Sequence, residues 1–260
     1  MAGETLDRLV GPWHILQLRR GHRFSTDDLV AAWRAWQARP DATRLLDLGS
    51  GIGSVGLTTF FQVACWGQEP SRRRDEVTLT TVEVQAVSAG LQRRTVRLNG
   101  LADRVTVHHG DLRDTERLLG DATFDLITGS PPYFPEGTAL VSAHPQKAGA
   151  RVELRGSVLD YCAAAKRHLA PGGRFVYVMA AADARTEAAP LAHGLRVVER
   201  LDVVFAAPRE PLVCVLVCAH EGEVPADAER VTHELVVRGA DGEWTAEYLA
   251  FRDLFQYTST

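Results

Sequence analysis

The stretch LLDLGSGIGSVG, residues 45–56, sets the fold. Leu45-Leu46-Asp47-Leu48 reads as a short buried strand. The glycines that follow let the chain turn sharply before residues 54–67 resume in helical periodicity. Strand, glycine turn and helix in that order open a parallel β-α-β unit. The alternation continues with a strand at 77–84, a helix at 85–98 ended by Asn99-Gly100, and strands at 104–109 and 124–128. A helix at 153–169 stopped by Pro171-Gly172-Gly173 and a strand at 174–179 come next. Three more strand patterns, 197–205, 212–218 and 231–237, have little helix between them. The expectation is an α/β fold: a mostly parallel seven-stranded sheet with helices on both faces and an antiparallel edge.

With 260 residues, 45% of them apolar and 24% charged, the chain can bury a large core. Residues 1–40, aromatic and helical in pattern, read as a segment packed on a domain spanning 41–260. No run is long and apolar enough for a membrane span, and the opening MAGETLDRLV lacks the pattern of a signal peptide, so the expected location is cytoplasmic and no membrane is involved. Cys65, Cys162, Cys214 and Cys218 are scattered, without CxxC or paired histidines, and read as reduced core residues; no metal is expected. A net charge of −4 argues against non-specific coating of nucleic acid, while Arg19-Arg20, Arg72-Arg73-Arg74 and Arg93-Arg94 leave room for a local positive face. The polar insertion SRRRDE, 71–76, reads as a solvated loop.

Gly51-x-Gly53-x-x-Gly56 matches the fingerprint of dinucleotide-binding Rossmann domains, and a nicotinamide site is one reading. The surrounding residues favour another. Asp47-x-Gly49-x-Gly51-x-Gly53 resembles motif I of class I S-adenosylmethionine-dependent methyltransferases, which have a Rossmann-like fold. That resemblance implies that the glycines lie against the methionine part of the cofactor and that Asp47 helps to position its amino end. Glu83, ending the next strand, would accept from both ribose hydroxyls, for which a paired-oxygen acceptor is suited. Asp111, in His109-Gly110-Asp111-Leu112, stands where such enzymes place an acid against the adenine amine. Ser25-Thr26-Asp27-Asp28 reads as a helix N-cap with favourable dipole placement. The same helix start, with Thr26, would also reach the methionine end, as the motif before the first strand does in amino-group methyltransferases.

Ser130-Pro131-Pro132-Tyr133, at the tip of the fourth strand, resembles the (Asp/Asn/Ser)-Pro-Pro-(Tyr/Phe/Trp) elbow of methyltransferases that modify planar nitrogens. The chemistry accounts for the residue types. An exocyclic amine has its lone pair spread into a π system and is a poor nucleophile. Two acceptors, the Ser130 hydroxyl and the Pro131 carbonyl, hold its hydrogens and favour electron density on nitrogen. Consecutive prolines fix φ and lack N–H donors, which keeps that carbonyl turned into the site. Tyr133 offers a face for the target ring. A stiff turn with a core aromatic is the plainer reading of the same residues.

GHRFSTDDLV, LLDLGSGIGSVGL, NGLADRVTVHHGDL, PPYFPEG, ARVELRGSVLDYCAAAKRHLAPGGRF and EWTAEYLAFRDLFQYT, in that order, are similar to the bacterial tRNA (adenine-N6)-methyltransferase family that modifies the adenine 3′ of the anticodon in a valine tRNA. The similarity runs from about residue 18 to the C-terminus. It implies S-adenosylmethionine as cofactor and RNA, a tRNA, as partner. Substrate-side candidates are Phe134, Lys147, Arg151 and Arg155, from the elbow and the long segment 135–152, which is long enough to be a lid. One departure stands out: the family normally has Asn where this chain has Ser130, and Ser-Pro-Pro-Tyr is more familiar from cytosine-N4 methyltransferases of DNA. Other planar nitrogens, guanine N2 in ribosomal RNA or a protein glutamine amide, use a similar elbow. A degenerate fold that binds without catalysis is the non-enzymatic alternative.

Overall fold

In the computed structural model, residues 3–65, 74–135, 137 and 144–255 are described, without the side chains of Lys147 and Arg151. Parts of two sequence readings, the insertion 71–76 and the segment 135–152, fall outside the described residues.

The chain opens with strands, where the sequence suggested a helical segment. β1 (Glu4–Val10) and β2 (Trp13–Leu18) form an antiparallel hairpin around Gly11-Pro12, and helix begins only at α1 (Thr26–Ala38). On β2, Trp13, Ile15 and Gln17 point inward and are buried while His14 is exposed, the period-2 pattern of a half-buried strand. Polar Gln17 interrupts its apolar signal, although its amide is satisfied: Nε2 donates to Asp7 and Oε1 accepts from the Phe24 N–H, at 3.0 and 2.9 Å.

Beyond the hairpin lie β3 (Arg44–Leu48), α2 (Ser54–Cys65), β4 (Thr78–Glu83), α3 (Ala86–Leu98), β5 (Val105–His109), α4 (Thr115–Leu119) and β6 (Phe124–Gly129). α5 (Pro145–Arg151), α6 (Val158–His168), β7 (Leu169–Ala180), α7 (Arg185–Ala192), β8 (Leu195–Val204), β9 (Val213–His220), β10 (Val231–Val236) and α8 (Ala246–Asp253) complete the described chain. The main sheet has eight strands in the order β10-β8-β9-β7-β6-β3-β4-β5, one more than the expected seven. Within it β9 runs antiparallel to both its neighbours, whereas β10 pairs parallel with β8, so the edge strand itself is parallel. Pro171-Gly172-Gly173 does not end a helix either; α6 stops at His168, and the Pro-Gly-Gly lies inside β7, where the pairing with β6 shifts register.

Central β3 is buried along Leu45–Leu48, as a strand covered on both faces must be. α2 covers one face with every residue but Cys65 buried, and Trp13 of the hairpin stacks on Phe60 and meets Phe61 edge-on at 5.7 and 5.0 Å. α3 reaches back to the hairpin: Thr95 and Asn99 side-chain oxygens accept from the Leu16 and His14 N–H groups, and Arg94 holds Glu4 through two bonds of 2.9 and 2.8 Å. One buried apolar cluster runs from Leu9 and Ile15 through Phe60 and Leu126 to Phe251 and Phe255, joining hairpin, sheet and α8. Among the described residues no helix is long and apolar enough to cross a membrane.

Candidate active site

The tips of β3, β4 and β6, the loop after β5 and the start of α1 close around a cavity of about 370 Å³, at the crevice where the sheet's strand order reverses. Open α/β sheets place ligand sites there, and the volume suits a small molecule. Its walls include Ser25, Asp27, Asp28, Asp47, Gly49, Gly51, Glu83, Gln85, Ser130, Pro131, Tyr133, Phe134, Arg155 and Tyr161.

Asp47 lies 1% exposed behind the glycine loop. One carboxylate oxygen accepts from the Gly56 N–H at 3.0 Å and the other from the Thr128 hydroxyl at 2.7 Å, so the acid ties β3 to both α2 and β6. A Cβ at Gly56 would stand 2.6 Å from that carboxylate, and only glycine lets the helix start come so near. Gly51, at φ +56°, has nothing within 4 Å of where a Cβ would be; its Cα side faces open space. Glu83 is 4% exposed and accepts from the Gly51 N–H at 2.8 Å and the Gln85 N–H at 2.7 Å, one bond per oxygen. Each oxygen keeps a further lone pair.

Acids crowd one end. Asp28 caps α1 by accepting from the Ser25 N–H at 3.0 Å and is buried beside Asp27 and Asp47. Burial foremost, then the Asp27 charge, pushes its carboxyl well above the ordinary range. Burial likewise raises Asp47 to about 7. Glu83 is also raised by burial, opposed by the two N–H groups and by the Arg155 charge. Arg23 lines the same cavity, with its guanidinium on Asp7 at 3.0 Å, and no ion pair joins it to Asp27, Asp28 or Asp47 among the described residues.

The elbow after β6 carries Ser130 and Pro131 on the cavity wall, and its geometry adds a contact that motif reading missed. The Tyr133 hydroxyl donates to Asp27 Oδ2 at 2.8 Å, linking the elbow to the start of α1. Phe134 is 41% exposed; its carbonyl accepts from the Glu153 N–H at 3.0 Å, and it bridges to Val152.

Most of the residues singled out by sequence therefore meet in one place, with exceptions. Thr26 turns its hydroxyl to Tyr248 of α8, 3.4 Å away, and is not on the cavity wall, whereas its neighbours Ser25, Asp27 and Asp28 are. Asp111 caps the turn after β5 and is gripped by Arg113 through Nε at 2.9 Å and Nη2 at 2.6 Å, which lowers its carboxyl; Gly110 and Leu112 form the wall in its stead. Arg155 lines the cavity near Glu83 and Asp111 and not beside the elbow alone, since its charge acts on both acids. The backbone of Lys147 and Arg151 lies on α5; their side chains are outside the described residues. Gln146 of that helix docks it, accepting from the His22 N–H and donating to Ser88, both at 3.1 Å. Among the described residues no group of three or more His, Cys, Asp or Glu is arranged to hold a metal.

This strand order is that of the class I methyltransferase fold. The structure superposes on a protein described as a predicted O-methyltransferase from Agrobacterium tumefaciens with a TM-score of 0.58, 16% identity and coverage of 88% of this chain and 96% of that one. A 16S rRNA N2 G1207 methyltransferase of Thermus thermophilus, solved with its methyl donor and guanosine, gives 0.54 at 18% identity, covering 82% and 49%. In sequence, the chain is similar to the tRNA1(Val) (adenine(37)-N6)-methyltransferase of Cronobacter sakazakii, 27% identical over 235 residues, 90% of this chain and 87% of that protein. No family model matches the chain. The resemblance read from the motifs thus extends along nearly the whole molecule.

Proposed function

We propose that this protein transfers a methyl group from S-adenosylmethionine to the exocyclic N6 of an adenine in RNA, with a tRNA as substrate. The observation that carries the reading is the meeting, in one cavity, of the motif I loop and the Ser130-Pro131-Pro132-Tyr133 elbow, in a chain aligned over most of its length with an enzyme named for that reaction.

The donor set fits the cofactor. The open space before Gly51 accepts a ligand without side-chain movement, and the acidic end at Asp27, Asp28 and Asp47 complements an ammonium and a sulfonium charge. Glu83, held by two N–H groups, is preset to receive a diol. Gly49 and Gly53 shape the loop. Thr26 supports this end from behind through its helix, and Asp111 would take part once its bond to Arg113 is given up. S-adenosylmethionine, when bound, supplies an electrophilic methyl group on sulfur.

On the substrate side, the Ser130 hydroxyl and the Pro131 carbonyl accept the two hydrogens of the target amine. Both acceptors turn its nitrogen toward the donor. No strong base is required, because the amine proton becomes acidic only as the new C–N bond forms. Pro131 and Pro132 hold the elbow rigid, Tyr133 walls the target slot, and Phe134 offers an exposed ring to a flanking base. Lys147, Arg151 and Arg155 supply positive charge for phosphates around the rim.

Incubation with labelled S-adenosylmethionine and total tRNA, ribosomal RNA, DNA and protein, followed by nucleoside and amino-acid analysis, tests the reading. Label in N6-methyladenosine from tRNA is expected. Ser130 favours one alternative, cytosine N4 in DNA, and label in that base with none in RNA would replace the first reading.

A further inference from the structure

Tyr161 of α6 belongs to none of the motifs, yet it stands at the joint of the site. α6 packs on β3, on β6 and on the turn at Leu112–Asp114 that Asp111 caps. From there Tyr161 reaches the cavity wall while only 5% exposed. Two glycines give it room. A Cβ at Gly49 would collide with its hydroxyl, and one at Gly129 would stand 2.9 Å from its Cδ1. The phenol thus lies against both the glycine loop after β3 and the residue that leads into the elbow.

A buried phenol ordinarily finds a hydrogen-bond partner within the fold. Among the described residues the Tyr161 hydroxyl has none; the helix bond to Ser157 is made by its backbone N–H. Burial first, then the negative charges of Glu83, Asp47, Asp111 and Asp160, raise it well above a phenol's ordinary value, so the proton stays on oxygen. Glu83 is foremost among those charges, which agrees with the packing of α6 on the side where a diol is received. A ribose diol has protons to give and keeps lone pairs on both oxygens. The Glu83 carboxylate can take those protons but, when ionised, offers none in return. A complete ribose site needs a donor as well.

We propose that Tyr161 is a cofactor-binding residue: its hydroxyl, set against Gly49 on the cavity wall, donates to a ribose oxygen of S-adenosylmethionine while Glu83 accepts from the diol. Gly49 and Gly129 lack side chains so that the phenol can occupy that place. The inference rests on the reading that the cavity holds S-adenosylmethionine.

Calorimetry on the wild type and Tyr161→Phe tests it with three ligands. These are S-adenosylhomocysteine, 5′-methylthioadenosine, which lacks the amino-acid part, and the 3-deaza analogue of S-adenosylhomocysteine, which lacks the base N3 acceptor. Tyr161→Phe should weaken all three by about fivefold, the worth of one neutral hydrogen bond. The melting temperature of the ligand-free variant should equal or exceed that of the wild type, because the hydroxyl removed had no partner in the fold. A tyrosine with a merely structural part would give the reverse, a lower melting temperature with unchanged affinity, and would overturn the proposal. A loss absent with 5′-methylthioadenosine would put the bond on the amino-acid part, and one absent with the 3-deaza analogue would put it on the base; either result also overturns it. A wild type that binds none of the three would overturn the cofactor reading itself, and this inference with it. No methyl acceptor enters these measurements, so they stand apart from the choice of adenine in tRNA as substrate.

Discussion

Two glycines of the same loop and helix start do opposite work. Gly51 opens onto the cavity, so Gly51→Val should abolish S-adenosylmethionine binding measured by calorimetry, while its φ of +56° costs the fold only roughly 1–2 kcal/mol. Gly56 presses on Asp47, and Gly56→Ala should lower stability in urea by about 1–3 kcal/mol through overpacking against the carboxylate. Equal binding and stability effects in the two variants would contradict this division. Asp47 also gives the molecule a pH signature. Its carboxyl is held at about 7 in the fold by burial, against an ordinary 3.8. The native state therefore binds the extra proton, and stability is greatest below the unfolded value and lost as pH rises through about 7. The limiting size is about 4 kcal/mol, with buried Asp28 acting in the same direction. Melting temperatures between pH 5 and 8 should fall with pH in the ligand-free protein, and Asp47→Asn should flatten the slope. A cation bound at that end would remove the penalty, so donor affinity should rise over the same interval.

At the level of elements, α8 matters because it props the helix start that carries the acids. Phe251, 3% exposed, meets Trp33 of α1 edge-on at 5.3 Å and Phe255 at 4.9 Å, and Tyr248 reaches Thr26. Phe251→Ala should cost about 3–5 kcal/mol in denaturant unfolding and weaken donor binding as well; a stability loss with unchanged affinity would separate α8 from the site. The strands and helices of the central sheet could be read in sequence because their signals are local: Arg44–Leu48 is one apolar run followed by glycines. The hairpin could not. Its strands are short, Gln17 breaks the buried face of β2, and the acceptors for the edge of β2, Thr95 and Asn99, are some 80 residues away. The site divides the same way. Glycine loop, acids and elbow were visible as contiguous motifs, whereas the Asp27–Tyr133 bond joins residues 106 apart and exists only in the fold. Asp111 and Thr26 were read as cofactor-side residues from their place in the motifs, yet in the fold a neighbouring arginine holds the carboxylate of Asp111 and Tyr248 stands against the hydroxyl of Thr26.

For the whole molecule, a net charge of −4 means that a polyanionic partner is met against an unfavourable overall field and must be caught by local cations. Binding of tRNA should consequently be salt-sensitive: between about 50 and 200 mM salt, two or three phosphate contacts predict roughly a tenfold loss of affinity. Filter binding checks this, and S-adenosylmethionine affinity should change far less. Duplex DNA should be a poor substrate, since its amines are stacked and paired. A salt-independent affinity for tRNA would show that the rim makes no phosphate contacts. The parallel strand added at the far margin has another consequence. β10 leaves Val231, Thr232, His233 and Glu234 exposed along the last strand of the sheet, the kind of border on which a second chain can template itself and grow a fibril. Polar and charged side chains at three of those four places, with Glu229 and Arg230 just ahead, make such self-templating unfavourable, and this border guards colloidal solubility far from any chemistry in the cavity.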